Sequence, residues 1–419
     1  HLLPTAKNLK LDRFLPVLVH EKRTVSRFPP LRDTVFFRLV DGIGENMKIN
    51  RIEAYQIDLP YTGGTYALSS GREYTGFDAT VVRVVTDNGL DGWGESTPFG
   101  STYIAAHALG VRAGIAEIAP HLIGADPRNI ERIYDTMDTA LVGHAHAKAA
   151  IDIACWDVFG KSAGLPVYTL LGGSTGQRMP TISSIYAGTP DDMRARVADH
   201  RARGYRGHSI KVGALDAQGG PALDAERIIA ALADRQNGEY FLIDANGGLT
   251  VENALRMLAL LPNGLDFTLE APCATWRETL SLRARCNRPI VLDELVQYDA
   301  DVAQLIATDA ADGIGLKISK AGGLTPARRQ RDMCRAAGLT MSVQDTVGST
   351  IAFAGIAHLA QTVPARNLRC ILDCRDMVTV QTAQFDAPVV DGGVIAPDAT
   401  GLGLTVDRAQ LGDPVAVYQ

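Results

Sequence analysis

The sequence has no apolar run that approaches the roughly 18 residues a membrane-spanning helix requires, so no membrane partner is expected. It has no Lys/Arg tract with interleaved aromatics. Its net charge of -6 over 419 residues gives a phosphate backbone nothing to bind, which argues against nucleic acid. Cysteine is sparse, with six in the whole chain. Cys370 and Cys374 are the closest pair, and no second pair stands near to complete a zinc site. The thiols therefore read as reduced, in a cytoplasmic enzyme. No GxGxxG follows any candidate strand, which leaves a dinucleotide fold without support.

What is present is an ordinary globular profile, 46% hydrophobic and 21% charged, in a chain long enough for a barrel with an attached domain. Residues 1–46 lack clear periodicity and do not begin with Met. Met47 reads as a natural start, and the preceding segment as an extension outside the fold. It lacks the basic, apolar, small-residue layout of a secretory signal. From Met47 the text alternates, INRIEAYQIDL and then FDATVVRVVTDNGLDGWGES. TDNG is a hairpin signal between two strands. Between these runs lies YTGGTYALSSGREY, which suits a loop. Helical periodicity follows to about residue 163, as in AKAAIDIACWDVFGKSAG. An α+β domain over 47–175 is the expectation.

After Gly172–Gly173 short β-branched runs alternate with helical stretches: TISSI, HSIKV, YFLID, DFTLE, PIVLDE, GIGLKIS, LTMSVQD and RCILD. Eight such strands predict a parallel β/α barrel over 176–378. Six consecutive runs close on an ionisable residue: Lys211, Asp244, Glu270, Asp293, Lys317 and Asp345, recurring every 23 to 33 residues. That interval is one strand-helix unit. Taken singly, a carboxylate at a strand end often only caps the next helix. Taken jointly, six such groups meet at one mouth, because the C-terminal strand ends of a barrel converge there.

Three carboxylates on adjacent strands repel unless something neutralises them. Hard oxygen donors in that number suit a divalent cation such as Mg2+, with Asp244, Glu270 and Asp293 as the ligands. Asn246 and Glu294 are placed to orient them. The two lysines flank the carboxylates. A lysine beside a dication has its charged form disfavoured, which makes Lys211 and Lys317 candidates for acid and base.

These residues resemble the enolase superfamily, in its muconate-lactonizing-enzyme subgroup. The resemblance is carried by GWGES (92–96), AKAAIDIACWDVFGKSAGLPVYTLLGG (147–173), LIDANGG (242–248), LEAP (269–272), LDE (292–294), LKISKAGGLT (316–325) and DGGVIAPDATGLGLTVD (391–407). It implies a (β/α)7β modified TIM barrel. It also implies a capping domain that residues 379–419 return to complete, one Mg2+, acid/base lysines at the second and sixth strands, and a homo-oligomer. Two departures stand out. Where many members have Lys-x-Lys on the second strand, Ser209 takes the first position. The seventh-strand segment TMSVQDTVGS holds no histidine, which argues against the His/Asp base of the mandelate-racemase group.

The whole-chain texture is most similar to the cis-3-hydroxy-L-proline dehydratase sub-family. That implies removal of the α proton of an amino-acid-like carboxylate, then loss of water to give Δ1-pyrroline-2-carboxylate, with 2-epimerisation in competition. The alternative is a racemase or epimerase of a proline derivative, a proline betaine or a dipeptide. A cationic amine substrate needs an anionic partner, for which Asp373 and Asp345 are the candidates. Tyr66, Ser209 and Thr346 are further candidates to line the substrate site, with Phe99 near the lid.

Overall fold

The computed structural model describes residues 47–419; the expected extension over 1–46 lies outside them. Eight strands run parallel in chain order and close on themselves: β1 (Met179–Ile185), β2 (Gly207–Lys211), β3 (Tyr240–Asp244), β4 (Thr268–Glu270), β5 (Ile290–Leu292), β6 (Gly313–Lys317), β7 (Thr340–Gln344) and β8 (Leu368–Leu372). Closure is the parallel pairing of β8 with β1, Ile371 opposite Thr181 and Leu372 opposite Ile182. A ninth short strand, Gly393–Val394, adds antiparallel to β1. The first seven strands are each followed by a helix before the next begins, and β8 by a single 3-10 turn, Cys374–Met377.

Local chemistry sets the helix starts. Thr189, Thr250 and Thr275 each precede a helix and accept a hydrogen bond from the third backbone N–H beyond, at 3.1 to 3.2 Å. That satisfies a donor with no partner inside the helix.

Along the strands the side chains obey period two. Ile182 and Ser184, Ser209 and Lys211, and Leu242 and Asp244 all line one cavity. In β1 and β3 the apolar member, Ile182 or Leu242, lies deeper and the polar one nearer the carboxyl end; in β2 both are polar.

A second sheet is antiparallel, in the order Ala416–Tyr418, Ile49–Pro60, Gly76–Thr86, Asp91–Ser96. The TDNG turn joins its two right-hand strands, with Val85 opposite Asp91. The far edge is the carboxyl end of the chain, with Ile52 opposite Tyr418.

Helix Ala145–Ala163, buried along most of its length, is wedged between this sheet and the barrel. Two of its carboxylates explain why a buried helix carries charge. Asp157 accepts from Trp93 N (3.0 Å), Leu402 N (2.7 Å) and Lys161 Nζ (2.8 Å). Asp152 accepts from Thr325 N (3.0 Å) and Thr325 Oγ1 (2.5 Å), and Trp156 Nε1 donates to that same hydroxyl (2.9 Å). Both carboxylates are fully buried and hydrogen-bonded, as buried polar groups must be. They bind the helix to the cap sheet, the carboxyl-terminal segment and the barrel at once.

Candidate active site

The mouth of the barrel collects the strand-end residues. Lys211, Asp244, Glu270 and Lys317 are the last residues of β2, β3, β4 and β6. Asp293 and Asp345 follow β5 and β7 directly. All six are buried. Register makes the carboxylates neighbours: Lys211 stands opposite Asp244, and Asp244 opposite Glu270.

Two ion pairs dominate. Lys211 Nζ donates to Asp244 Oδ2. Lys317 Nζ donates to Asp293 Oδ2 at 2.5 Å. A third ammonium, Lys320, donates to Asp293 Oδ1 at 2.7 Å and to Asp293 O at 2.5 Å. Glu270 has no cation of its own among these pairs. It accepts one bond from Gln344 Nε2, at 3.3 Å.

The charges follow from this crowding. Burial first, then the carboxylates of Asp244 and Asp293, push the Glu270 carboxyl well above its usual range. Burial works to hold Asp293 up, but Lys317 and Lys320 overcome it and pull its carboxyl well below that range. Burial disfavours both catalytic-candidate ammoniums, yet Asp244 beside Lys211 and Asp293 beside Lys317 outweigh it and hold both above the ordinary lysine value. The lower value expected from the sequence is that of a lysine facing a dication, whereas the charges that face these lysines here are carboxylates.

Among the described residues no three His, Cys, Asp or Glu side chains converge into a ligand geometry, and Lys211 and Lys317 pair with two of the three carboxylates. The donor set nevertheless fits a divalent cation. It offers three hard carboxylate groups on adjacent strands, one of them, Glu270, forced toward its neutral form by burial and then by the other two. Asn246 bridges outward, donating through Nδ2 to Asp244 Oδ2 (3.0 Å) and to Glu294 Oε1 (3.2 Å). Asn246 Oδ1 and Glu294 Oε2 are buried without a hydrogen-bond partner. Burial and then Asp293 push the Glu294 carboxyl up to about 7. Asn246 holds a left-handed φ of 47°, which its short polar side chain tolerates.

The cavity between the lysines measures about 40 Å³, space for a few water molecules. Tyr66, Leu68, Phe99 and Tyr103 wall it from the cap side, and Tyr66 shares a hydrogen bond with Ser184. Ser209, Asp345 and Thr346 also line it. Asp345 is engaged at both oxygens: Oδ2 accepts from Ser319 N (3.1 Å) and Oγ (2.7 Å), and Oδ1 from Thr346 N (2.7 Å). Burial pushes its carboxyl up to about 6. The Thr346 hydroxyl donates to Thr97 O in the cap.

Asp373 is a correction. It is absent from the cavity wall. Arg375 takes its carboxylate in a two-pronged pair, Nε to Oδ1 at 2.8 Å and Nη2 to Oδ2 at 2.6 Å, which holds it away from the cavity that Asp345 lines. The signal was in the sequence, since Arg375 lies only two residues on. Tyr103, Gln344, Ser184 and Lys320 went unread. Lys320, in the LKISKAGG run, carried a visible signal; the others reach the site only through the fold.

The family described as Enolase C-terminal domain-like matches residues 192–410. The mandelate racemase / muconate lactonizing enzyme N-terminal domain matches residues 75–172. The chain is 42% identical to cis-3-hydroxy-L-proline dehydratase of Roseibium aggregatum over 372 residues, 89% of this chain and 100% of that protein. It is 30% identical to N-succinyl-L-Arg/Lys racemase of Bacillus cereus, across 75% of this chain and 84% of that one. A mandelate racemase/muconate lactonizing enzyme structure from Roseovarius nubinhibens ISM, complexed with magnesium, superposes with a TM-score of 0.88 at 59% identity. It covers 89% of this chain and 100% of that one.

Proposed function

The chain belongs to the mandelate racemase / muconate lactonizing enzyme family of the enolase superfamily, and from that premise we propose that it dehydrates cis-3-hydroxy-L-proline to Δ1-pyrroline-2-carboxylate. The observation that carries this reading is the pair of buried lysines set on β2 and β6, with the carboxylate trio of β3, β4 and β5 between them in strand order.

In the cis isomer the 3-hydroxyl shares a ring face with the carboxylate, so the α hydrogen lies on the opposite face. Elimination then needs a base on one face and an acid on the other. Lys211, neutral at the moment of reaction, takes the α proton. The electron pair left on the α carbon forms the Cα–Cβ double bond as the Cβ–O bond breaks. The Lys317 ammonium gives its proton to the departing hydroxyl, which leaves as water. The enamine product tautomerises to the cyclic imine. If Lys317 protonates carbon instead, the outcome is 2-epimerisation.

Asp244, Glu270 and Asp293 are the residues that would hold Mg2+, which supplies positive charge against the negative charge that builds on the substrate carboxylate as its α proton leaves. Asn246 and Glu294 orient those carboxylates. Asp345 lines the cavity and is our choice of counter-charge for the substrate ammonium. Tyr66 and Phe99 exclude water from above, and Ser209 and Thr346 complete the wall.

A second reading, epimerisation of a proline derivative, draws support from the racemase among the relatives. Product analysis separates the two. Incubation with Mg2+ and cis-3-hydroxy-L-proline is expected to give a product lighter by one water, seen by mass spectrometry. A product of unchanged mass but inverted α carbon would make the protein an epimerase. No reaction with any proline analogue would remove this substrate class.

A further inference from the structure

Lys211 and Lys317 differ in how they are held. Lys211 donates to Asp244 alone among the hydrogen bonds of the described residues. Lys317 has a second partner, and it comes from the cap. Its Nζ donates to Tyr103 Oη at 2.5 Å, and the same phenol donates to Asp293 Oδ2 at 3.0 Å. With the 2.5 Å bond from Lys317 to Asp293 Oδ2, the three groups form a closed triangle.

An ammonium has three N–H bonds and no acceptor. Two of those on Lys317 are fixed, one by Asp293 and one by Tyr103. The third is left for the cavity that Lys317 lines. The Tyr103 ring adds a wall on the same side, with Nζ 4.8 Å from its centroid, inside cation–π range.

The loop that carries Tyr103 is itself tied to the lid segment, the YTGGTYALSSGREY loop of residues 61–74. Tyr74 Oη and Thr102 Oγ1 share a hydrogen bond at 2.6 Å, and Arg72 Nη1 donates to Thr102 O at 3.2 Å. Arg72 also reaches the barrel, donating to Asn246 O at 3.2 Å. The lid, the loop and the sixth-strand lysine are thus joined by consecutive contacts. Tyr103 is also a partition. It lines the cavity of about 40 Å³ on one side and another of about 310 Å³, bounded by His146, Glu294 and Lys320, on the other.

We propose that Tyr103 is a positioning residue for Lys317: its hydroxyl aims the one free N–H of the ammonium at the leaving oxygen, so that elimination depends on it and α-proton removal by Lys211 does not. This rests on the dehydratase reading above. Misalignment by about 1 Å is enough to cost a proton transfer on the order of a hundredfold. An aim lost on one lysine only should split the two half-reactions.

Tyr103→Phe keeps the ring, the wall and the cation–π contact, and removes only the hydroxyl. The assay is run in D2O with cis-3-hydroxy-L-proline at saturating Mg2+, reading deuterium at the α carbon of recovered substrate against water lost. Losing a hydrogen bond to a charged group corresponds to a fall of about 10- to 100-fold, expected in kcat for elimination with KM little changed. Exchange should continue, so the exchange-to-elimination ratio rises by a similar factor. An unchanged ratio, or an equal loss in both reactions, overturns the inference.

Thr102→Val is the second variant. It cuts the tie to Tyr74 but leaves the Tyr103 hydroxyl in place, and the ratio should stay within about twofold. If it shifts as far as in Tyr103→Phe, loop placement and not the hydroxyl is responsible, and the inference fails. If the unsubstituted protein neither exchanges nor eliminates, it is the dehydratase reading that has failed.

Discussion

Glu270 sits between two other carboxylates with one neutral hydrogen bond to hold it, and a glycine makes room for it. A Cβ on Gly315 would lie 3.0 Å from Glu270 Oε1 and 3.2 Å from Gln344 Nε2. Both are ends of flexible side chains, so Gly315→Ala should fold and displace Glu270 rather than break the barrel. If Glu270 is a ligand, the expected outcome is Mg2+ affinity weaker by roughly 10- to 100-fold, measured by calorimetry, with Tm little moved. Unchanged affinity would remove Glu270 from the ligand set. At this scale the strand-end residues were legible because an ionisable group that ends a buried apolar run is costly, and six at barrel spacing exceed coincidence. Tyr103 was not legible. It stands in the mixed stretch STYIAAHA, where no period marks it, and only the folding of the cap brings it to Lys317. Asp373 was misread for the opposite reason, since a local partner already held it.

The elements of the cap are set by close approach. A Cβ on Gly94 would fall 2.1 Å from the backbone oxygen of Ala150, and one on Gly92 2.1 Å from that of Ala154. Strand Asp91–Ser96 therefore lies directly on the backbone of helix Ala145–Ala163. A backbone atom cannot step aside as a side chain can. Gly94→Ala is expected to cost about 3 kcal/mol or more, read as a lower urea midpoint. An unchanged midpoint would mean that strand and helix stand further apart. Next to these glycines Glu95 turns into the barrel, where Ser349 N donates to it at 2.8 Å and Ala352 N at 3.3 Å. These are the N-cap and a first-turn donor of helix Thr350–Ala360, where an acidic group is favoured. The strand GWGES was legible as a hairpin arm from its alternation and the TDNG turn. Its glycines make sense only against helix Ala145–Ala163, and its glutamate only against helix Thr350–Ala360, far along the chain.

Across the whole molecule, His358 marks where barrel, linker and tail meet. It is fully buried. Its Nδ1 accepts from Tyr168 N and its Nε2 donates to Leu402 O, each at 3.1 Å. The neutral ring satisfies both neighbours, and a second proton would break the bond from Tyr168. Burial accordingly pushes its pKa down to about 4, from an ordinary 6.5. The unfolded chain then binds the proton first, so stability from this group is complete above about pH 6.5 and lost as the pH falls toward 4. The difference of about 2.5 pH units corresponds to about 3 kcal/mol. Asp152 and Asp345, pushed up by burial to about 7 and about 6, act in the opposite sense. The measurement is therefore a comparison: urea unfolding of the parent and of His358→Gln from pH 7 to 4. The parent should lose more stability across that window, and parallel curves would contradict the assignment. The barrel as a whole was legible from eight evenly spaced β-branched runs. The closure of the cap by the last strand, Ala416–Tyr418, was legible only by resemblance, since three residues carry no period of their own.

The central claim is that two lysines on opposite strands divide one reaction, and it is tested most directly by removing each in turn. Lys211→Ala and Lys317→Ala are incubated with Mg2+ and cis-3-hydroxy-L-proline in D2O, and proton NMR follows both the α hydrogen and the loss of water. The account predicts that Lys317→Ala stops elimination but still exchanges the α hydrogen for deuterium with retention, while Lys211→Ala does neither. Elimination at the parent rate in Lys211→Ala, or loss of all exchange in Lys317→Ala, would contradict it.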